Sequence, residues 1–179
     1  MKNFYYLISS LPALKWEGTP PFTVENFLKI VRPYLSEKDY LRLEKISIVP
    51  PSEFYELSPA GKWLDWEISL RKKIFSLRVK SKKTSLENLP MERAYYSEIE
   101  KIVQTAMQFE NPLEKEKNLD FARWKAIEDF FSLHLFDFYA LVSYKLKLEI
   151  LCKYALIDAK RANENFNKIC DDILKKQEF

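Results

Sequence analysis

Between Leu113 and Lys175 the chain contains neither a glycine nor a proline, and no other feature restricts its fold so strongly. The apolar stretch Asn111 to Lys175 opens with Asn111-Pro112-Leu113, runs through Ala122-Arg123-Trp124 and crosses Phe136-Asp137-Phe138. Leu141, Tyr144, Leu148, Leu151 and Ala155 follow one another at alternating steps of three and four, which places all five on one stripe of a helix. Past Ala155 a strict seven-residue register would put Asp158, Asn165 and Asp172 in that stripe. Ala159, Ala162, Phe166, Ile169 and Ile173 restore the apolar spacing after one extra step of four, the pattern of a stutter or of a kink near Asp158. A helix from Phe138 to Lys175 would be roughly 57 Å long at about 1.5 Å per residue.

The rest of the composition agrees with an all-α protein. Only 2 glycines occur in 179 residues, and no Asn-Gly or Asp-Gly pair is present to close a hairpin between strands. The length suits a single helical domain, residues 1–179, with a core large enough to need no disulfide or metal. The net charge of +3 arises from 29 basic and 26 acidic side chains, so charge alone does not point to nucleic acid. Cys152 and Cys170 would lie about 27 Å apart along one straight helix and could not pair there, which fits free thiols in a reducing compartment. No stretch has the roughly 18 uncharged apolar residues of a membrane span, and no signal-peptide pattern opens the chain. A soluble cytoplasmic protein is expected.

Helix boundaries are written in capping residues and prolines. Asn3 to Leu14 is too apolar to hang in water, and periodicity leaves helix and extended chain both open. Thr23 is a capping candidate for a helix burying Phe27, Ile30 and Val31, ended or bent by Pro33. Ser36 starts another, which carries Tyr40, Leu41, Leu43 and Ile46 and stops at Val49-Pro50-Pro51. Ser58-Pro59 opens a longer one with Trp63, Trp66, Leu70, Ile74 and Leu77 on its inner face. After Pro90, the spacing of Tyr95, Ile99, Ile102, Ala106 and Phe109 predicts a further amphipathic helix. Asn111-Pro112 then starts one with Trp124, Ile127 and Phe131 in its buried line. Asp137 caps the last, and these two form an antiparallel hairpin turning at Leu135 to Asp137. The expected architecture is an irregular helical bundle with a long C-terminal helical hairpin.

No catalytic constellation emerges. His134 is the only histidine and has no cysteine beside it, whereas a metal site needs three or four ligands and a serine triad needs a histidine in place. Packing or a hydrogen bond at a helix C-terminus is the simpler role for it. Two distant glycines exclude a phosphate-cradling loop. Carboxylates such as Glu114 with Glu116, or Asp171 with Asp172, are turned to different sides of a helix. Trp63, Trp66, Phe75 and Trp124 occur at helical spacing and read as core in preference to a base-stacking platform. The cationic run Arg71, Lys72, Lys73, Arg78 and Lys80, continuing into Lys82 and Lys83, is either a solvated helix end or a patch for an anionic partner. No cofactor and no metal is expected.

Two groups of residues carry a family resemblance. Phe4-Tyr5-Tyr6-Leu7-Ile8-Ser9-Ser10-Leu11-Pro12, with Pro20-Pro21-Phe22 and Phe27-Leu28, forms one. Asn111-Pro112-Leu113-Glu114, Leu119-Asp120, Arg123-Trp124, Phe136-Asp137 and Lys147-Leu148-Glu149-Ile150-Leu151 form the other. Together they resemble a small bacterial family encoded beside V-type ATPase subunits. That family looks like a shortened counterpart of the C-type (in eukaryotic enzymes, d-type) adaptor of V/A-type ATPases, the all-helical piece between rotating shaft and membrane ring. The resemblance implies an all-helical, non-catalytic accessory or central-stalk subunit. It would link the rotor shaft to the membrane ring by protein-protein contacts, and would be cytoplasmic and peripheral to the inner membrane through the complex. It transfers no active residue. The alternative is a helical nucleic-acid-binding module that uses the basic residues near 71–83.

Overall fold

The computed structural model of the chain describes residues 4–49, 58–82 and 96–156. The described residues form seven α-helices and one 3-10 turn, with no strand among them. The expected register change beyond Ala155, together with Cys170, Tyr95 and the Pro50-Pro51 stop, falls outside the described residues.

The open question at the N-terminus resolves to a short helix, α1 (Tyr5–Ser10), with Leu7 turned inward. The backbone becomes extended at Leu11, as the residue before a proline prefers. Helix α2 (Val24–Val31) starts where expected, with the Thr23 hydroxyl accepting from the Asn26 amide at 3.2 Å. Phe27 and Val31 are buried, but Ile30 is exposed, because this two-turn helix meets the body along one line only. Pro33 sits in the 3-10 turn Arg32–Tyr34 that follows. Helix α3 (Glu37–Lys45) is capped by Ser36, whose Oγ accepts from the Asp39 amide at 3.2 Å and donates to the Asp39 carboxylate at 2.6 Å. It buries Leu43 and delivers Ile46 to the core just past its end, while Leu41 stays outside.

Helix α4 (Pro59–Lys82) has the expected proline at its first position, and the Ser58 Oγ accepts from the Gly61 amide at 3.1 Å. Its first two-thirds is buried on several faces, by Ala60, Trp63, Leu64, Trp66, Leu70 and Ile74, because α5, α6 and α7 all lean on it. Helix α5 (Ser97–Met107) buries Ile99, Val103 and Ala106. Its inner line therefore passes through Val103, where Ile102 was expected, and Phe109 lies beyond the helix end, exposed.

Helix α6 (Pro112–Phe130) begins under the Asn111 side chain, which accepts from the Leu113 amide at 2.9 Å. Trp124, Ile127 and Phe131 are buried as expected. Asp137 caps α7 (Phe138–Leu156), its Oδ1 accepting from the amides of Tyr139 at 2.9 Å and Ala140 at 3.1 Å. The two helices run antiparallel, since Lys147 reaches Glu128 while Lys153 reaches back to Asp120.

The stripe expected on α7 is only part of what is buried. Leu141, Leu148 and Leu151 are inside, but so are Val142, Lys145, Leu146 and Ile150, while Tyr144 is half-buried and Ala155 exposed. A helix apolar on most of its circumference belongs in the middle of a bundle, and α7 touches α2, α3, α4 and α6. The segment between α1 and α2 is laid along the hairpin. Trp16 sets its ring 5.3 Å from Phe121, 5.7 Å from Trp124 and 6.2 Å from Tyr154. Tyr144 stacks on Phe27 at 5.1 Å and donates its hydroxyl to the Pro12 carbonyl at 2.9 Å.

Asp137→Ala removes the α7 cap and is expected to lower stability by about 1–2 kcal/mol in urea unfolding, with Asp137→Asn, which keeps a capping oxygen, losing less. Burial pushes the Tyr144 phenol up to about 12 from an ordinary value of 10.0. The unfolded chain therefore releases this proton first. The contribution is complete below pH 10 and is lost as the pH rises to about 12. A pH series of urea midpoints should fall less steeply across that window for Tyr144→Phe than for the parent chain.

Candidate interaction surface

Charged residues at inward helical positions organise the centre of the molecule. On α4, Glu67 falls in the row Trp63, Leu70 and Ile74 and is 0% exposed. On α6, Asp120 and Arg123 fall in one row with Ile127, and Asp120 is likewise 0% exposed. Arg123 joins the two carboxylates, donating from Nε to Glu67 at 2.9 Å and from Nη1 to Asp120 at 2.6 Å. Burial opposes the Arg123 charge, yet the adjoining carboxylates of Glu67 and Asp120 more than offset this and hold its proton more firmly than usual.

The remaining oxygens are also taken. Arg71 donates to Glu67 at 2.6 Å, Lys153 to Asp120 at 2.7 Å and the Tyr154 hydroxyl to Asp120 at 2.7 Å. Burial, followed by the hydrogen bond to Asp120, raises the Tyr154 phenol above its ordinary range. Glu116 closes the group by accepting from Lys153 and lying 3.6 Å from Arg123. Three acids thus face three bases across α4, α6 and α7. Each of these charges is matched, so the cluster braces the fold.

A second brace ties the end of α3 to α7. Lys145 donates to the Ile46 carbonyl and, at 2.6 Å, to Glu149. The other Glu149 oxygen accepts from Ser47 Oγ and the Ile48 amide, both at 2.8 Å. Sequence spacing alone passed over both clusters. Their signal was a charged residue standing in an apolar row, as Glu67, Asp120, Arg123 and Lys145 do.

The cationic run on α4 does not form one free patch. Arg71 is committed to Glu67 and to the Ile48 carbonyl at 2.9 Å, and Lys73 reaches Glu100 at 2.6 Å. Lys72, expected on the outer face, is only 8% exposed, because α4 is covered on more than one side. Arg78 is exposed, with no ion pair to a described residue, and the Lys80 side chain lies outside the described part. Among the aromatics expected in the core, Trp63, Trp66 and Trp124 are buried and Phe75 is exposed.

His134 lies in the turn after α6 and bonds the N-terminal cap of the following helix, not the C-terminal carbonyls expected of it. Its Nδ1 lies 2.6 Å from Asp137 Oδ2, so the carboxylate that caps α7 also fixes the imidazole. Cys152 is a free thiol whose Sγ lies 3.7 Å from the Phe22 carbonyl, and burial raises its pKa. Among the described residues no group of three or more His, Cys, Asp or Glu side chains could hold a metal ion, and no helix is long and apolar enough to cross a membrane.

Two open grooves are lined by described residues. One, of about 620 Å³, runs beneath the loop from Trp16 to Pro20 and is walled by Leu113, Lys117, Leu151 and Tyr154. The other, of about 570 Å³, lies between α5 and α6, with Trp66, Ile102, Phe121 and Phe130 among its walls. More conspicuous is the turn between α6 and α7, where Leu133 is 92% and Leu135 65% exposed. Helix α1 sits beside this turn. The Phe4 amide donates to the Phe136 carbonyl at 2.8 Å, and the Tyr5 ring lies 4.8 Å from Phe136 and 5.5 Å from Tyr6, itself 88% exposed.

Arg123→Ala would strand Glu67 and Asp120 without their shared cation, and is expected to lower stability by about 3–5 kcal/mol in urea unfolding. Lys117→Ala, which removes only a solvent-exposed 3.5 Å pair with Glu17, should cost less than about 1 kcal/mol in the same assay.

No curated protein and no solved structure matches the chain. A family model does, over residues 1–50 and 78–177, so that Arg123, Asp120 and the whole hairpin fall inside the match while Glu67 lies in the stretch it skips. Since that match spans most of the sequence, the chain belongs to the family described as protein of unknown function (DUF2764).

Proposed function

We propose that the chain is a non-catalytic accessory or central-stalk subunit of a bacterial V-type ATPase, joining the rotor shaft to the membrane ring through contacts with other subunits. The observation that carries this reading is where the family-like residues sit. Asn111 and Pro112 start α6, Asp120 and Arg123 form the central brace, Asp137 caps α7, and Glu149 holds the end of α3. These residues stiffen a hairpin. A part that passes torque between two bodies needs resistance to bending and shear, and side chains anchored across three helices supply it.

Chemistry points the same way. The charges of the central cluster are matched, and its Tyr154 hydroxyl is held in the neutral form by burial and Asp120. The open grooves, with apolar walls, are surfaces suited to other macromolecules. In this role the protein would be held at the inner membrane by its neighbours.

The test is purification of the V-type ATPase from the native host, with the subunits identified by mass spectrometry. The chain is expected in the intact complex at a fixed ratio to the shaft subunits. Depleting it should leave ATP hydrolysis in place and abolish ion pumping. Its consistent absence from active, pumping complexes would overturn the assignment.

A further inference from the structure

The turn joining α6 to α7, together with α1, presents Leu133, Leu135, Phe136, Tyr5 and Tyr6 to the outside at one end of the hairpin. We propose that this tip inserts shallowly into a lipid bilayer surface.

Charge is the first argument. Residues 4–14 and 130–136 contain no Asp, Glu, Lys or Arg, in a chain that is 31% charged overall. The one titratable ring in the turn, His134, is held by Asp137, which is itself buried. Among the described residues the projecting side chains of the tip are uncharged, which matches the uncharged acyl layer, with exposed Asp129 at its edge.

Shape is the second. Leu133 and Tyr6 project almost completely, at 92% and 88% exposure, so the tip is a protrusion. A protein partner would have to supply a complementary pocket and a polar rim, whereas fluid lipid closes around a projecting side chain without either. The mixture also suits the depth profile of a bilayer. Leucines enter the acyl boundary, and tyrosine rings lie at headgroup level with their hydroxyls in water.

Area is the third. Aromatic side chains bury about 150–250 Å² each when fully covered, so five partly exposed groups offer roughly 600 Å². A stable dimer buries about 800 Å² on each partner, and the tip alone falls short of that. A second copy of the chain is thus the weaker occupant.

The test uses the full chain and sedimentation with vesicles of neutral phosphatidylcholine. Binding is expected, and raising the salt should leave it unchanged, since the inserting side chains bear no charge. The double variant Leu133→Ser/Leu135→Ser should bind at least about tenfold more weakly. Both positions are exposed, so its urea midpoint should match the parent, and Tyr6→Ser gives an independent readout. Failure of the parent chain to sediment with vesicles would overturn the proposal. So would binding that salt abolishes or that the variants leave intact, which would point to cationic residues elsewhere. Dimerisation in solution that Leu133→Ser/Leu135→Ser removes would assign the tip to a second copy. Vesicle binding by the isolated chain does not require the ATPase, so failure here would leave the stalk assignment standing, and the reverse holds equally.

Discussion

Everything in this fold is arranged around one guanidinium that cannot be hydrated. Arg123 is nearly buried, and removing a cation from water costs several kcal/mol unless its donors find anions. It lies between Glu67 of α4 and Asp120 of its own helix, and Asp120 is also gripped by Lys153 and Tyr154 of α7. Sliding any of the three helices by one turn would leave a bare charge in an apolar interior. Leucine and tryptophan contacts tolerate such a slip far better, because apolar packing is not directional. The ions therefore select the register, and the apolar side chains supply most of the cohesion.

Much of the architecture was legible because helix ends depend on local chemistry. Thr23, Ser36, Ser58, Asn111 and Asp137 each cap the helix expected from their position, and Pro59 and Pro112 open theirs. The hairpin turn could also be read, since Asp137 is the first good cap after a long apolar run. What sequence spacing misplaced depends on what lies opposite. Ile30, Leu41 and Phe75 stand at apolar spacing yet remain outside, because their helices are covered along a narrower line than the pattern allows. Lys72 errs the other way, drawn inward by neighbours on both sides of α4.

The candidate surfaces were less legible, for a physical reason. A buried ion cluster is assembled from residues far apart in the chain, and each member looks like an ordinary surface charge until its helix is packed. Glu67 and Arg123 are separated by 56 positions and meet at 2.9 Å. The apolar tip is likewise a joint product of α1 and the α6–α7 turn, brought together by a backbone hydrogen bond from Phe4 to Phe136. The cationic run was legible as a cluster, but the partners of Arg71 and Lys73 come from other parts of the chain.

The way the N-terminal segment lies along the hairpin has a bearing on how the protein is born. Pro12 and Tyr144 are 132 positions apart. A ribosome therefore releases the first apolar residues long before their cover exists. Until the α6–α7 hairpin emerges, Phe4, Trp16, Phe22 and Phe27 lack most of their native cover, and closing so long a loop is slow compared with winding a helix. The nascent chain thus passes through a stage with its aromatic N-terminus uncovered, the kind of species that holdase chaperones recognise. Synthesis order, and not only final packing, sets how this molecule reaches its native state.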